Sequence, residues 1–267
     1  MKLTVALVAT ALTVASVAPQ TPPQRGKTRQ PGAKAPPADV PVSIPRSFAM
    51  RNGMRVTLMH TGTARKVVVA LVLATGEIDE PKFGPGLASL TAQMLLQGSV
   101  ARSAQRIVAE CAELGTKLAV QAGPVTTSLT GEVDAVRMPR FLALIGDLVR
   151  HPLLDTAGFG RVQRDAMRTL DSTLRDPGDL ARQQWRAIIF PDGPFGHPYA
   201  YPATIGMLKL GHVRNVYDDN YSASRAHLYV SGGFDDAATE KNIRETFGDW
   251  PPGIAEKPVD IRPATVH

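Results

Sequence analysis

Apolar residues recur along this chain with two periods, one for strands and one for helices. Phe48 and Met50 alternate, Arg51-Asn52-Gly53 turns the chain, and Met54, Val56 and Leu58 alternate again. Asn-Gly between alternating apolar residues predicts a hairpin. Val67–Thr75 is a β-branched apolar run and predicts a central strand covered on both faces. The stretch 84–98 opens with Gly-Pro-Gly and closes on Gly98, with Leu87, Leu90, Met94 and Leu95 at i, i+3, i+7 and i+8. That spacing predicts a helix with one buried face, and the glycines bracket it.

The later elements follow the same logic. Ser103 predicts the N-cap of a helix running to Leu114 and stopped by Gly115. Lys117–Ala122 and Val125–Glu132 predict a second hairpin around Gly123-Pro124. Helices are predicted at Pro139–Arg150, at Asp155–Leu174, and at Pro177–Phe190 behind Asp176. Residues 191–203 read as a Pro/Gly loop, and Thr204–Leu210 and His212–Tyr221 as helical. Arg225–Ser231 reads as a strand, and Asp236–Phe247 as a last helix. The order ββ–β–α–α–ββ–α–α–α–α–α–β–α defines an α+β protein: an antiparallel or mixed sheet with helices packed on it. This domain spans 46–250.

Composition changes the picture mainly at the ends. The 267 residues carry a formal charge of +6. Residues 1–46 hold Lys2, Arg25, Lys27, Arg29, Lys34 and Arg46 against Asp39 alone, so the remainder is close to neutral. A basic tail on a near-neutral domain argues against nucleic-acid binding. Residues 1–18 read as a secretory signal: Lys2, the apolar run Leu3–Val17, and small residues Ser16 and Ala18 before the cut. Pro19 disfavours cleavage directly after Ala18, so the cut site stays open and the segment could remain as an anchor. Residues 19–45 hold eight prolines and read as an extended, disordered linker. Residues 251–267 read as a Pro-rich tail or the start of a linker to a second domain. An exported, periplasmic protein is the expectation.

Candidate chemistry is sparse. The single cysteine, Cys111, falls among Ile107, Val108 and Leu114 and reads as a small core residue. The six histidines (60, 151, 197, 212, 227 and 267) contain no pair at i, i+3 or i+4 spacing. His197, in Gly196-His197-Pro198, reads as a structural loop residue. Ser89 lacks a Gly-x-Ser-x-Gly setting, and Ser231-Gly232-Gly233 lacks the lysine of a phosphate loop. On the helix at 84–98, Ser89, Ala92 and Gln93 share a face on which spacing alone could build a metal site. They offer a hydroxyl, a methyl and a carboxamide.

Residues 46–250 nevertheless resemble the N-terminal half of the pitrilysin/insulinase family of zinc peptidases, which includes the mitochondrial processing peptidases. The resemblance rests on Asn52-Gly53-Met54-Arg55-Val56, Ala74-Thr75-Gly76-Glu77, Gly86-Leu87-Ala88, Met94-Leu95 with Gly98-Ser99, and Ser103-Ala104-Gln105. It continues through Asp176-Pro177, Phe190 to Pro198, Tyr217 to Tyr221, Leu228-Tyr229-Val230 and Phe247-Gly248-Asp249-Trp250-Pro251. In active members Gly-Leu-Ala is followed by H-x-x-E-H, with two zinc ligands and a general base. Those positions here are Ser89, Ala92 and Gln93. A third ligand, a glutamate, is implied near Arg168 or Thr169, and no Glu occurs between Asp155 and Pro177.

The resemblance therefore implies a degenerate homologue with no catalytic residue, no metal and no other cofactor. Family members commonly pair a zinc-bearing subunit with one that lacks the site. The implied role is a non-catalytic subunit that pairs with an active zinc peptidase relative and helps to form its peptide-binding chamber. Two other readings stand beside it. One is a stand-alone periplasmic peptide-binding or scaffold module, and the other is a fragment that lacks a second half.

Overall fold

The computed structural model describes residues 44–61, 65–80, 84–173, 175–190 and 200–255. The expected signal, all but the last two residues of the expected linker, His197 and most of the expected tail lie outside the described residues. Among the described residues no helix is long and apolar enough to cross a membrane.

Among the described residues, six strands and eight α-helices follow the predicted order. The strands are β1 (Arg46–Ala49), β2 (Arg55–His60), β3 (Lys66–Leu73), β4 (Ala119–Ala122), β5 (Thr127–Asp134) and β6 (Ala226–Gly232). The helices are α1 (Leu87–Met94), α2 (Ala104–Leu114), α3 (Met138–Arg150) and α4 (Thr156–Thr173), then α5 (Pro177–Ile189), α6 (Pro202–Met207), α7 (Leu210–Asn220) and α8 (Asp236–Phe247). They form a mixed sheet in the order β1-β2-β6-β3-β5-β4. Among the described strands β2 and β6 alone pair in parallel, and β6 lies between β2 and β3.

Local chemistry explains most boundaries. The first hairpin closes through Gly53 N–H to Met50 C=O at 3.0 Å and Met50 N–H to Met54 C=O at 2.8 Å. Gly53 takes φ +86°, so this is a three-residue turn with a left-handed glycine, not a two-residue Asn-Gly turn. The Asn52 amide instead donates to the carbonyls of Phe247 and Trp250, at 2.7 and 3.1 Å, and ties the turn to the end of α8. Ser103 caps α2 by accepting from Arg106 N–H, and Gly115 ends it at φ +68°. Both match the expectation. The second hairpin is shifted: β5 begins at Thr127 because residues 123–126 are spent on the turn closed by Gly123 N–H to Thr126 C=O at 2.7 Å.

The core lies under one face of the sheet. Val67, Val69, Leu71 and Leu73 of β3, Leu228 and Val230 of β6, and Leu129 of β5 all point into it. Leu90 and Met94 of α1, Phe141 and Leu148 of α3, and Phe247 of α8 fill the helix side. β5 carries Gly131 because a Cβ there would lie 2.3 Å from the Phe141 ring. The expectation that β3 is covered on both faces is corrected. Its residues alternate, Val68 is 46% exposed, and Ala70 and Val72 are half-buried. The uncovered face carries a polar line instead. The Ser47 and Thr57 hydroxyls lie 2.9 Å apart, Thr57 meets His227 Nε2 at 2.9 Å, and the Tyr229 hydroxyl meets His227 Nδ1 at 3.1 Å.

Two contacts fix where α1 starts. Glu77–Asp79 forms a single 3-10 turn whose amides bond to the second hairpin: Glu77 N–H to Gly123 C=O at 3.1 Å and Ile78 N–H to Pro124 C=O at 3.0 Å. Glu80 then folds its carboxylate back to accept from Gly86 N–H at 3.1 Å and Ala88 N–H at 2.7 Å. Gly86, at φ +93°, has no side chain to cap the helix, so the distant glutamate serves its open amides. Glu80 is buried, and this raises its carboxyl from 4.5 to about 7; the two amides oppose the shift and the nearby Glu77 and Asp79 add to it.

Both contacts generate predictions. A Cβ at Gly76 would lie 2.3 Å from Gly123 O, backbone against backbone. Gly76→Ala should therefore cost about 1–3 kcal/mol in urea unfolding, and an unchanged midpoint would refute the close approach. For Glu80 the folded value is raised, so the protonated form favours the fold. Its contribution is complete below the unfolded value near 4.5 and is lost as pH rises through about 7. Glu80→Gln abolishes the titration and keeps a carbonyl acceptor. Between about pH 5 and about pH 8 the wild type should lose about 2 kcal/mol relative to this variant. Parallel pH profiles would show that Glu80 does not titrate in this interval.

Candidate functional site

Helix α1 presents two different surfaces. Leu87, Leu90 and Met94 enter the core, as their spacing predicts. Ala92 joins them at 0% exposure, whereas Ser89 and Gln93 are exposed. One residue in sequence carries the chain round by about 100°, which is enough to send Ala92 inward while its neighbour Gln93 stays outside.

Ser89 and Gln93 open onto a cavity of about 470 Å³ between α1 and α4, closed on one side by Ala200 and by Ile205 of α6. Leu90, Val162, Ala166 and Leu170 supply apolar walls, and Gln97, Asp165 and Thr169 supply polar ones. The structure thus brings together Ser89, Gln93 and Thr169, three of the positions compared with the zinc ligands of active relatives. Arg168, the neighbouring candidate for the third position, pairs with Asp165 through its guanidinium.

Gln93, Gln97 and Thr169 are engaged in hydrogen bonds. Gln93 Nε2 donates to the Val120 carbonyl on edge strand β4 at 2.9 Å. Gln97 Oε1 accepts from Arg161 Nε at 3.1 Å. The Thr169 hydroxyl donates to the Asp165 carbonyl at 3.1 Å. Around the cavity the available donors are two hydroxyls, two carboxamides and one carboxylate engaged by Arg168. Zinc takes imidazole, thiolate or carboxylate ligands in tetrahedral array. These residues do not fit it. Among the described residues no three His, Cys, Asp or Glu cluster in a way that could hold a metal ion.

The histidines among the described residues are dispersed and engaged. His60 Nε2 lies 2.7 Å from Asp236 Oδ1, and its ring stacks on Phe234. His151 Nδ1 lies 3.6 Å from Asp147, and His212 Nδ1 accepts from Lys209 N–H at 3.3 Å. His227 is held below its ordinary value, chiefly by burial and further by Arg55. Burial also pushes the Cys111 thiol up, as suits a packed side chain. A second, apolar groove of about 590 Å³ runs between α2 and the chain entering β4, lined by Val108, Cys111 and Leu118. It adds no reactive group.

Two residues of the site escape sequence reasoning. Gln97 lies one turn beyond Gln93 on a 3-10 extension of the helix, and an i, i+4 count could have found it. Glu80 had no such signal, because its contact to Gly86 and Ala88 crosses a loop.

Comparison with known proteins agrees with this fold. The insulinase model, peptidase family M16, matches residues 55–203, and the peptidase M16 inactive domain model matches residues 208–267. An uncharacterized zinc protease of Rickettsia felis is 20% identical over 187 residues, covering 70% of this chain and 45% of that protein. Coenzyme PQQ synthesis protein F of Pseudomonas aeruginosa is 32% identical over 239 residues, covering 82% of this chain and 30% of that protein. The crystal structure of a peptidase M16 inactive domain from Pseudomonas fluorescens matches with a TM-score of 0.76 at 17% identity, covering 83% of this chain and 54% of that one. Pitrilysin matches with a TM-score of 0.73 at 23% identity, covering 83% of this chain and 24% of pitrilysin. The first half of the periplasmic protease PqqL from Escherichia coli gives 0.73 at 13% identity, covering 82% and 48%. The chain spans about half the length, or less, of the relatives it matches. A family match over more than half of its residues, on a sheet and helix arrangement shared with pitrilysin, makes this chain a member of the insulinase family of peptidases, family M16.

Proposed function

We propose that this chain is a non-catalytic insulinase-family subunit, exported to the periplasm, that pairs with a zinc-bearing relative and contributes a wall to its peptide chamber. One observation carries the reading. The positions aligned with the zinc ligands converge on a single cavity, and none of them carries a metal-binding side chain. The position of the general base is Ala92, sealed in the core, and the Asp165 carboxylate on the cavity wall is paired with Arg168.

Peptide contact is supported by the sheet edge beside the cavity. Among the described strands β4 pairs with β5 alone, at the edge of the sheet, where an extended chain could add. Gln93 links that edge to the cavity through the Val120 carbonyl. The leader-like segment 1–18 supports export. The stand-alone peptide-binding module draws support from the same edge and cavity, since both are built from this chain alone.

Reconstitution separates the two readings. The purified chain is mixed with an H-x-x-E-H relative encoded in the same genome. A subunit should form a stoichiometric complex by light scattering and raise peptide cleavage by that relative at least about tenfold, the equivalent of about 1.4 kcal/mol in the barrier. Separate elution and an unchanged rate would reject the pairing.

A further inference from the structure

Strand β4 ends the sheet, and its register with β5 decides which of its groups look outward. Gly123 N–H bonds Thr126 C=O at 2.7 Å, which marks a hydrogen-bonded pair at the turn of the hairpin. Bonded pairs alternate with open ones along an antiparallel ladder. Gln121 with Ser128 and Ala119 with Thr130 are therefore the bonded pairs, and Ala122 with Thr127 and Val120 with Leu129 the open ones. The N–H and C=O groups of Val120 and Ala122 turn away from β5, toward the edge. Side chains from two helices reach this edge. Gln93 of α1 donates Nε2 to the Val120 carbonyl at 2.9 Å. Just before the strand, Leu118 N–H bonds the Cys111 sulfur of α2. Gln93 is an exposed residue, so its amide is held at the edge by this bond rather than by burial.

We propose that Gln93 guards the β4 edge: its carboxamide occupies the Val120 carbonyl while the edge is empty and is displaced by the N–H of an extended peptide that adds there. This rests on the peptide contact proposed above and names the residue that regulates it. The exchange balances bond for bond. A peptide N–H replaces the Gln93 N–H at one carbonyl, a peptide carbonyl accepts from Val120 N–H, and water takes up the released carboxamide beside the cavity. An occupied carbonyl also blunts an edge that would otherwise pair with any strand. The guard acts on main-chain groups, so it lowers affinity for extended peptides in general and does not select among their side chains. One net hydrogen bond given up in the exchange corresponds to about fivefold in affinity.

The full chain is titrated with a fluorescein-labelled peptide of about six residues, threonine and valine in alternation between lysines, with anisotropy as the readout. Edge addition through main-chain bonds tolerates sequence, which suits a generic probe. Gln93→Ala should bind about fivefold tighter than the wild type. Gln93→Met keeps the length of the side chain, loses the donor and should match Gln93→Ala. The position is exposed, so circular dichroism should show all three forms folded alike. The same peptide with every backbone amide N-methylated has no donor for Val120 and should not bind. Equal or weaker binding by Gln93→Ala, or a Gln93→Met variant that behaves as the wild type, would overturn the guard and leave peptide contact standing. Binding of the N-methylated peptide, or of neither peptide by any form, would reject peptide addition at this edge and the guard with it.

Discussion

The Glu80 carboxylate holds the first open amides of α1, and the placement of the candidate site follows from that clasp. Without it Gly86 and Ala88 would present uncompensated N–H groups at a partly buried helix start, since Gly86 has no side chain to serve them. The clasp is itself positioned by the 3-10 turn at 77–79, which is bonded to the hairpin between β4 and β5. α1 is thus suspended between the sheet edge and the core. Its inner residues are buried in the core beside β4 and α7, and its outer residues meet α4 across the cavity. Burying the carboxylate has a cost, expressed as its raised titration, which the fold tolerates because the two amides and the helix dipole partly offset it.

This arrangement explains what holds α1 in place when Ser89 and Gln93 stand on its outer face. Packing constrains Leu87, Leu90 and Met94, and it constrains Ala92 as strongly, because that methyl is sealed at 0% exposure. The outer position Gln93 is held by a hydrogen bond across the fold. It donates to the edge strand, a structural task a carboxamide performs well and a zinc-bound imidazole could not. At α4 the same substitution of roles recurs: Thr169 bonds its own helix, and Arg168 is neutralised by Asp165. The helix pair is kept, and the side chains between them serve packing and polar closure.

Much of this fold was legible in the sequence because its signals are local. The period of α1, the Ser103 cap and Gly115 stop of α2, and the Asp176-Pro177 start of α5 each depend on residues a few positions apart. What could not be read depends on distant partners. Nothing in 226–232 says that β6 slides between β2 and β3, because strand pairing over such a separation leaves no local pattern. The β-branched run Val67–Thr75 predicts a strand covered on both faces, yet the fold covers one face and leaves Val68 accessible. Of the site, Ser89 and Gln93 were visible by spacing and by resemblance. The burial of Ala92, the bond from Gln93 to Val120 and the clasp by Glu80 were not, since each is set by what packs alongside.

The central claim is that this family member carries the motif helix without its metal chemistry. The most direct measurement is the metal content of the purified chain by elemental mass spectrometry after equilibration with zinc, with peptide hydrolysis assayed before and after chelation. The account predicts no stoichiometric zinc and no chelator-sensitive hydrolysis. One zinc per chain together with cleavage that a chelator abolishes would contradict it.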